Sequence, residues 1–588
     1  MSLLGPWRTR AGAVAALLIG LQTLWRGVIV WRGYFTQDDF LMLDLGGGRL
    51  GGLIFYDYSG HWFPGGFVIA WLQAHQGALN WPVAAAVILG WQLVASVMMW
   101  LVLHRLAPRS WWCIPALAVM LFTPMSLWST QWWAVAIQFL PVTFFLLVAV
   151  WAFLVDLQQR DQGGAPGWTQ PLIVIAASFG LGFQERALLI PVVLVFVALA
   201  LSPPTSPGLA VRSVLLRHRW LWLALTILNL AYLAIHRVIA PISTTGSGSV
   251  DPAPVIGNYL MRLFLPMAWG GPWQARVVGD STVIPATWTV VLSASVTLAL
   301  VVVTSRRGGW SARWGWALLA AYLLVDVALL FAGRAGLGEI AGLVPRYVAD
   351  VAPVLGLTLG LVARGLPASS RRRTKLTAIV VTALYAASAA ITTSWMDDYL
   401  HNEADRAYVA TLRAQLRANP QAVLLDTFAP DSVMIGWFGE QGRVSTIAGR
   451  LPESPLFDVP SYDLRFADAH GVLREIDLLG GTSMKPAPDP NCGYSISSVP
   501  VRIPLLRPIE LSQRGVLRIG YFTQGHGTLE VTAGDQTQQV DLRQELSLVD
   551  FVVTGEFDEV TVKADLDDDS VVCVTDLDVG SPWPRADG

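Results

Sequence analysis

The sequence predicts a polytopic α-helical membrane protein with a C-terminal β-rich domain. Three observations lead to that class. Over 588 residues the hydrophobic share is 54% and the mean hydropathy is +0.50, well above an ordinary soluble domain. Charge is unevenly divided: residues 1–395 hold 25 Lys/Arg against 12 Asp/Glu, and residues 396–588 hold 15 against 30. The 26 tryptophans and 35 prolines suit membrane helices, where interfacial indoles and tolerated prolines are common. The first part reads as a membrane body and the second as an acidic soluble domain. No basic stripe with interleaved aromatics points to nucleic acid.

About eleven apolar runs approach the length needed to cross a bilayer. They fall near 11–31, 81–104, 112–127, 134–155, 171–183, 186–201, 220–238, 286–304, 314–333, 346–364 and 376–395. The first run lacks a small-residue cleavage site and reads as a retained helix, not a signal peptide. The runs at 112–127, 171–183 and 186–201 are short. Residues 63–75 are expected to form an interfacial helix within the first loop. Arginine clusters recur in alternate loops: Arg8 and Arg10; Arg105 and Arg109; Arg160; Arg212, Arg217 and Arg219; Arg306, Arg307 and Arg313; Arg371, Arg372, Arg373 and Lys375. By the positive-inside rule this pattern predicts a plasma-membrane protein with a cytoplasmic N-terminus and an exoplasmic C-terminal domain. The loops 32–80 and 239–285 then face outward. The latter opens with Ser243–Ser249, which reads as flexible, and continues with Trp269 and Trp273.

Past Trp395 the hydropathy falls. Residues 401–418 carry helical spacing up to Pro420, and 422–426 reads as a strand. From about 498 onward, short alternating runs at 516–522, 528–532, 549–553, 560–564 and 571–574 predict a β-sandwich or jelly roll. Cys492 and Cys573 lie in this outward domain, where one disulfide is expected, with free thiols the alternative. Asp565, Asp567, Asp568 and Asp569 are read as solvated acids in preference to a calcium site.

The chemistry is expected on the outer face. Asp38 and Asp39 sit just beyond the first span, in a polar, aromatic-lined loop longer than a turn between helices requires. A carboxylate there can act as general base toward an acceptor hydroxyl. A leaving phosphate needs donors, for which Arg186, Arg346 and His61 are the candidates. Glu185 and Tyr347 adjoin them, and Trp62 offers either an indole face to a sugar ring or an interfacial anchor.

These residues resemble the C-type (GT-C) membrane glycosyltransferases. The features that carry the likeness are Phe35-Thr36-Gln37-Asp38-Asp39-Phe40, His61-Trp62-Phe63-Pro64-Gly65, Phe183-Gln184-Glu185-Arg186-Ala187 and Pro345-Arg346-Tyr347. The layout is similar to that of actinobacterial cell-envelope arabinosyl- and mannosyltransferases. The resemblance implies an inverting transferase with a polyprenyl-phosphate-linked sugar as donor and a glycan or glycolipid as acceptor. It also implies Asp38 as base and Asp39 as its partner. Two carboxylates can hold Mg or Mn against a diphosphate, but a monophosphate flanked by cations has less need, so no essential metal is expected. The C-terminal domain is expected to bind or align the acceptor through Tyr494, Tyr521, Phe522 and His526, or else only to cap the membrane body. The rival class is a transporter or flippase of lipid-linked sugars, for which Asp326 is the one acid well inside a span and for which no internal repeat is visible.

Overall fold

A computed structural model describes residues 5–77, 79–108, 110–163, 167–241, 251–279, 281–366, 372–567 and 570–585. Ser243–Ser249, Arg109, Arg371, Asp568 and Asp569 fall outside them. The chain forms two compact units, Met1–Phe35 with Leu45–Asn402 and Thr36–Asp44 with Glu403–Gly588. The division falls at 402/403, not 395/396. The acidic segment after the first helix groups with the C-terminal unit, whereas the sequence placed it in the membrane body.

In the first unit, eight helices among the described residues are long and apolar enough to span a membrane. They are Arg10–Arg32, Trp81–Leu106, Cys113–Gln131, Trp133–Asp161, Arg219–Ile239, Thr287–Arg307, Gly309–Phe331 and a stretch within Arg372–Ala418. Three of the eleven expected spans are shorter helices: Thr169–Phe183, Ile190–Leu201 and Val351–Gly365. The break between the first two is local. Gln184 is extended (φ −167°, ψ 144°), which ends one helix, and Pro191 starts the next without needing an amide partner. Arg219–Ile239 and Thr287–Arg307 bury only 11% and 17% of their apolar window, so most of their side chains are left for hydrocarbon. Trp133–Asp161, at 72%, lies inside the bundle with Phe153, Leu147 and Val150 in its core. Pro64–His75 forms a helix of 12 residues, about 18 Å long and too short to span.

The loop expected at 239–285 is largely ordered where described. Helical turns run from Pro252 to Ala268, and Ala275–Val278 pairs antiparallel with Thr282–Pro285. Its indoles anchor to helices: Trp269 Nε1 donates to Thr297 at 2.7 Å and Trp273 Nε1 to Ser388 at 2.6 Å.

The second unit begins with Glu403–Ala418, whose Tyr408, Leu412 and Leu416 repeat at helical spacing and are buried. The expected two-layer sandwich is instead one curled nine-stranded sheet. Its order is Val423–Leu424, Leu464–Ala467, Leu473–Ser483, Val572–Pro584, Val501–Thr523, Glu545–Leu566, Gly527–Ala533 and Gln536–Asp541, with Tyr494–Ile496 pairing on Val572–Pro584. The cause is strand length. Val501–Thr523 and Glu545–Leu566 run 23 and 22 residues, and register shifts at Val553/Gly555 and Phe557/Glu559 bend the pair. One sheet thereby wraps a core of Leu517, Ile519, Phe551, Val560 and Val574. Cys492 and Cys573 form a disulfide.

Candidate functional site

The segment from Tyr58 to Gly65 is shaped by backbone chemistry. Ser59 and Gly60 both have positive φ, +52° and +81°, the signature of a two-residue hairpin turn. Tyr58 and His61 exchange backbone bonds of 3.1 and 3.0 Å across it, and Asp57 Oδ1 accepts from the Gly60 amide at 2.8 Å. Trp62 Nε1 donates to the Ile54 carbonyl at 2.8 Å, its ring stacks on Tyr232 at 5.3 Å, and Tyr232 donates back to the Trp62 carbonyl. The indole expected to face a sugar therefore packs the turn on at least one side. Gly65 allows close approach: a Cβ there would lie 2.9 Å from the Phe183 ring and 3.0 Å from the Gly182 carbonyl.

That contact brings His61 to the helix break at Glu185. His61 Nδ1 lies 2.6 Å from Glu185 Oε1, and its Nε2 lies 2.8 Å from an Arg334 amino nitrogen. A guanidinium only donates, so Nε2 supplies the lone pair and Nδ1 carries the proton shared with Glu185. Burial would push the Glu185 carboxyl up, but His61 and Arg186 outweigh it and hold it at about 2.

Arg186 points elsewhere. It forms ion pairs with Asp326, at 3.4 Å, and with Asp350, and it donates to the Tyr347 carbonyl at 3.2 Å. Tyr259 donates to Asp326 and Tyr322 to Asp350. A buried guanidinium between two carboxyl groups has little left for phosphate, so its visible work is tying three helical segments together.

Arg346 differs. Its guanidinium lies 4.3 Å from the centroid of Trp132 and 5.1 Å from that of Tyr347, and it donates to the Tyr347 hydroxyl at 3.3 Å. Arg334 also acts on that phenol. Burial would push the Tyr347 phenol up, yet Arg346 and Arg334 outweigh burial and bring it below its usual value. Among the described residues neither arginine is within ion-pair distance of a carboxylate. Glu185, His61 and Arg334 thus form one bonded chain and Arg346 and Tyr347 a bonded pair, and the two half-buried cations both act on the Tyr347 phenol.

Arg334 was missed from the sequence because an arginine at a helix end is usually an interfacial anchor. Asp350 was missed because nothing near it in the chain shows its partner.

In the second unit, Asp38 and Asp39 open the helix Asp38–Gly46. Asp39 is fully buried, and its Oδ2 accepts from the Thr36 amide at 3.0 Å. Thr36-Gln37-Asp38-Asp39 thus makes one half of a capping box, with Asp39 reaching back three residues. Asp38 is half-buried. Gln37, at φ +50°, donates its amide to the Val433 carbonyl at 3.0 Å and accepts from the Ile435 amide at 2.9 Å. Asp44 pairs with Arg450 at 2.8 Å.

Of the four residues expected to meet an acceptor, Tyr521 does not fit. It is fully buried, bonded to Tyr462 and accepting from the Arg543 amide at 2.8 Å. It shares the inward face of its strand with Leu517 and Ile519. Phe522, one residue on, points outward, His526 is exposed, and Tyr494 is half-buried. Among the described residues no group of three or more His, Cys, Asp or Glu side chains stands together as a metal site.

No protein-family model matches the chain, and no curated protein matches it. Among solved structures, the cryo-EM structure of arabinofuranosyltransferase AftD from Mycobacteria is similar over 97% of this chain and 58% of its own length, at 14% identity and a TM-score of 0.37. A mutant form of AftD is similar over 97% and 60%, at 12% identity and a TM-score of 0.29. The chain thus spans less than two thirds of AftD's length.

Proposed function

We propose that the protein is a GT-C-type inverting glycosyltransferase, moving a sugar from a polyprenyl-phosphate donor to a cell-envelope glycan or glycolipid on the exoplasmic side. The observation that supports this most is the pair Arg334 and Arg346 about the Tyr347 hydroxyl, with no carboxylate partner among the described residues. Two guanidiniums and a phenol offer several donors to a phosphate. The His61–Glu185 pair fixes Arg334 from behind.

In the proposed reaction the acceptor hydroxyl gives its proton to Asp38 as its oxygen bonds to the anomeric carbon. The bond from that carbon to the donor phosphate breaks, and polyprenyl phosphate leaves with the electron pair, its growing charge met by the arginines. One displacement inverts the anomeric centre. Asp39 caps the helix that carries Asp38, a positioning role. With arginines serving the leaving group, no essential divalent metal is proposed. Tyr494, Phe522 and His526 remain the proposed acceptor contacts.

The experiment is turnover of a polyprenyl-phosphate sugar by the purified chain and by D38N. Donor binding retained with turnover lost supports the reading. Full turnover by a folded D38N protein overturns it.

A further inference from the structure

A second cationic pocket lies at the other end of the membrane unit. Val351–Gly365 starts just after Tyr347 and ends where Arg364 donates to the Leu106 carbonyl at 3.0 Å. Fifteen residues of helix, about 22 Å, separate the two ends. There a cavity of about 140 Å³ is lined by Arg10, His104, Lys375, Trp100 and Ser110, with the first turn of Arg10–Arg32. No Asp or Glu among the described residues lines it. Trp100 is 1% and Ser110 9% exposed, and Trp100 Nε1 and Ser110 Oγ are buried without a hydrogen-bond partner.

Buried donors are normally satisfied, and Arg10 and Lys375 line the cavity with no acid beside them among the described residues. Both features are relieved by an anion. The first-turn amides of a helix add further donors and a positive dipole end, and Thr9 caps only the Gly12 amide. Lys375 lies 5.6 Å from the Trp111 ring centroid, which holds the ammonium beside the pocket. A carboxylate has two oxygens for this set, whereas a phosphate offers more acceptors to donors arriving from several directions. At about 140 Å³ the cavity has room for about five waters, at roughly 30 Å³ each, so a phosphate group fits.

We propose that this pocket binds a phosphate group, independently of the donor site at Arg334 and Arg346. The phosphate belongs either to an anionic lipid headgroup of the adjacent leaflet or to a soluble phosphate compound.

The test uses the full-length protein in neutral detergent. One arm adds phosphatidylglycerol and measures its retention by native mass spectrometry. The other adds inorganic phosphate, with chloride as control, and follows thermal unfolding. Wild type is expected to retain phosphatidylglycerol, R10Q/K375Q to bind it about tenfold more weakly, and W100F to lose part of the affinity. R346Q is expected to remove only the share of binding that belongs to the donor site, so the loss caused by R10Q/K375Q is expected to persist when measured in the R346Q background. Phosphate-specific stabilisation lost in R10Q/K375Q, without a difference in lipid retention, assigns the site to a soluble phosphate. Equal lipid retention by wild type and R10Q/K375Q, together with phosphate-specific stabilisation that is absent or equal in the two proteins, overturns the proposal.

Discussion

Asp38 and Asp39 are neighbours with different surroundings, and their substitutions should separate. Asp39→Ala removes the acceptor for the Thr36 amide and should cost about 1 kcal/mol of stability, the usual worth of a helix cap. D38N should leave the unfolding midpoint within error of wild type while removing turnover; thermal melts beside a transfer assay check both. Arg346→Gln should lower kcat/KM for donor roughly thirty-fold, from about 2 kcal/mol for a charge-assisted contact, with kcat falling because the contact strengthens as the leaving charge grows. Glu185 gives a pH prediction. Its folded pKa is depressed to about 2, so the favourable charge on this group is present above its unfolded value and lost only as pH falls toward 2. An acid limb of activity near pH 5 must then belong to another group, and E185Q should leave that limb in place. The motif around Asp38 was legible because carboxylates beside a span are costly. The partners were not: His61 meets Glu185 across 124 positions and Arg186 meets Asp350 across 164, and no local pattern records such pairings.

At the scale of elements, the helices were legible from apolar run length, including the two short ones broken at Gln184. The strands were legible from alternation, but their joining was not. Runs read as separate, 549–553 and 560–564, belong to one strand, because bulges carry the pairing through the residues between them. Whether such strands make two layers or one curled sheet depends on register between distant segments. The disulfide closes a separation of 81 residues, and C492S/C573S should destabilise the domain by about 2–5 kcal/mol, read from chemical denaturation of the wild-type and variant proteins. Gly65→Ala should crowd Phe183 and cost about 1–3 kcal/mol. Because the turn is what brings His61 to Glu185, donor affinity should fall with it.

For the whole molecule, the positive-inside pattern sets the expected sidedness, and the proposed transfer needs no second compartment. Donor turnover in detergent is the expected outcome; binding without turnover there, with movement of donor across a reconstituted bilayer, would favour a transporter. The C-terminal unit contains residues 36–44, so a fragment 403–588 should melt below the same fragment given a peptide of residues 34–46. Each kcal/mol of docking should raise the midpoint by about 2–4 °C.

The bonds from Gln37 to Asp431 and from Asp44 to Arg450 span 394 and 406 positions, which sets a timetable for biogenesis. A ribosome adding about 5–20 residues per second delivers the partners of residues 36–44 only about 20–80 seconds after making that segment. Through that interval the helix that carries Asp38 must wait without the groups that hold it. Asp38 can be held in place only once the rest of the second unit has been made and folded, so on the function proposed above an incomplete chain is expected to be silent.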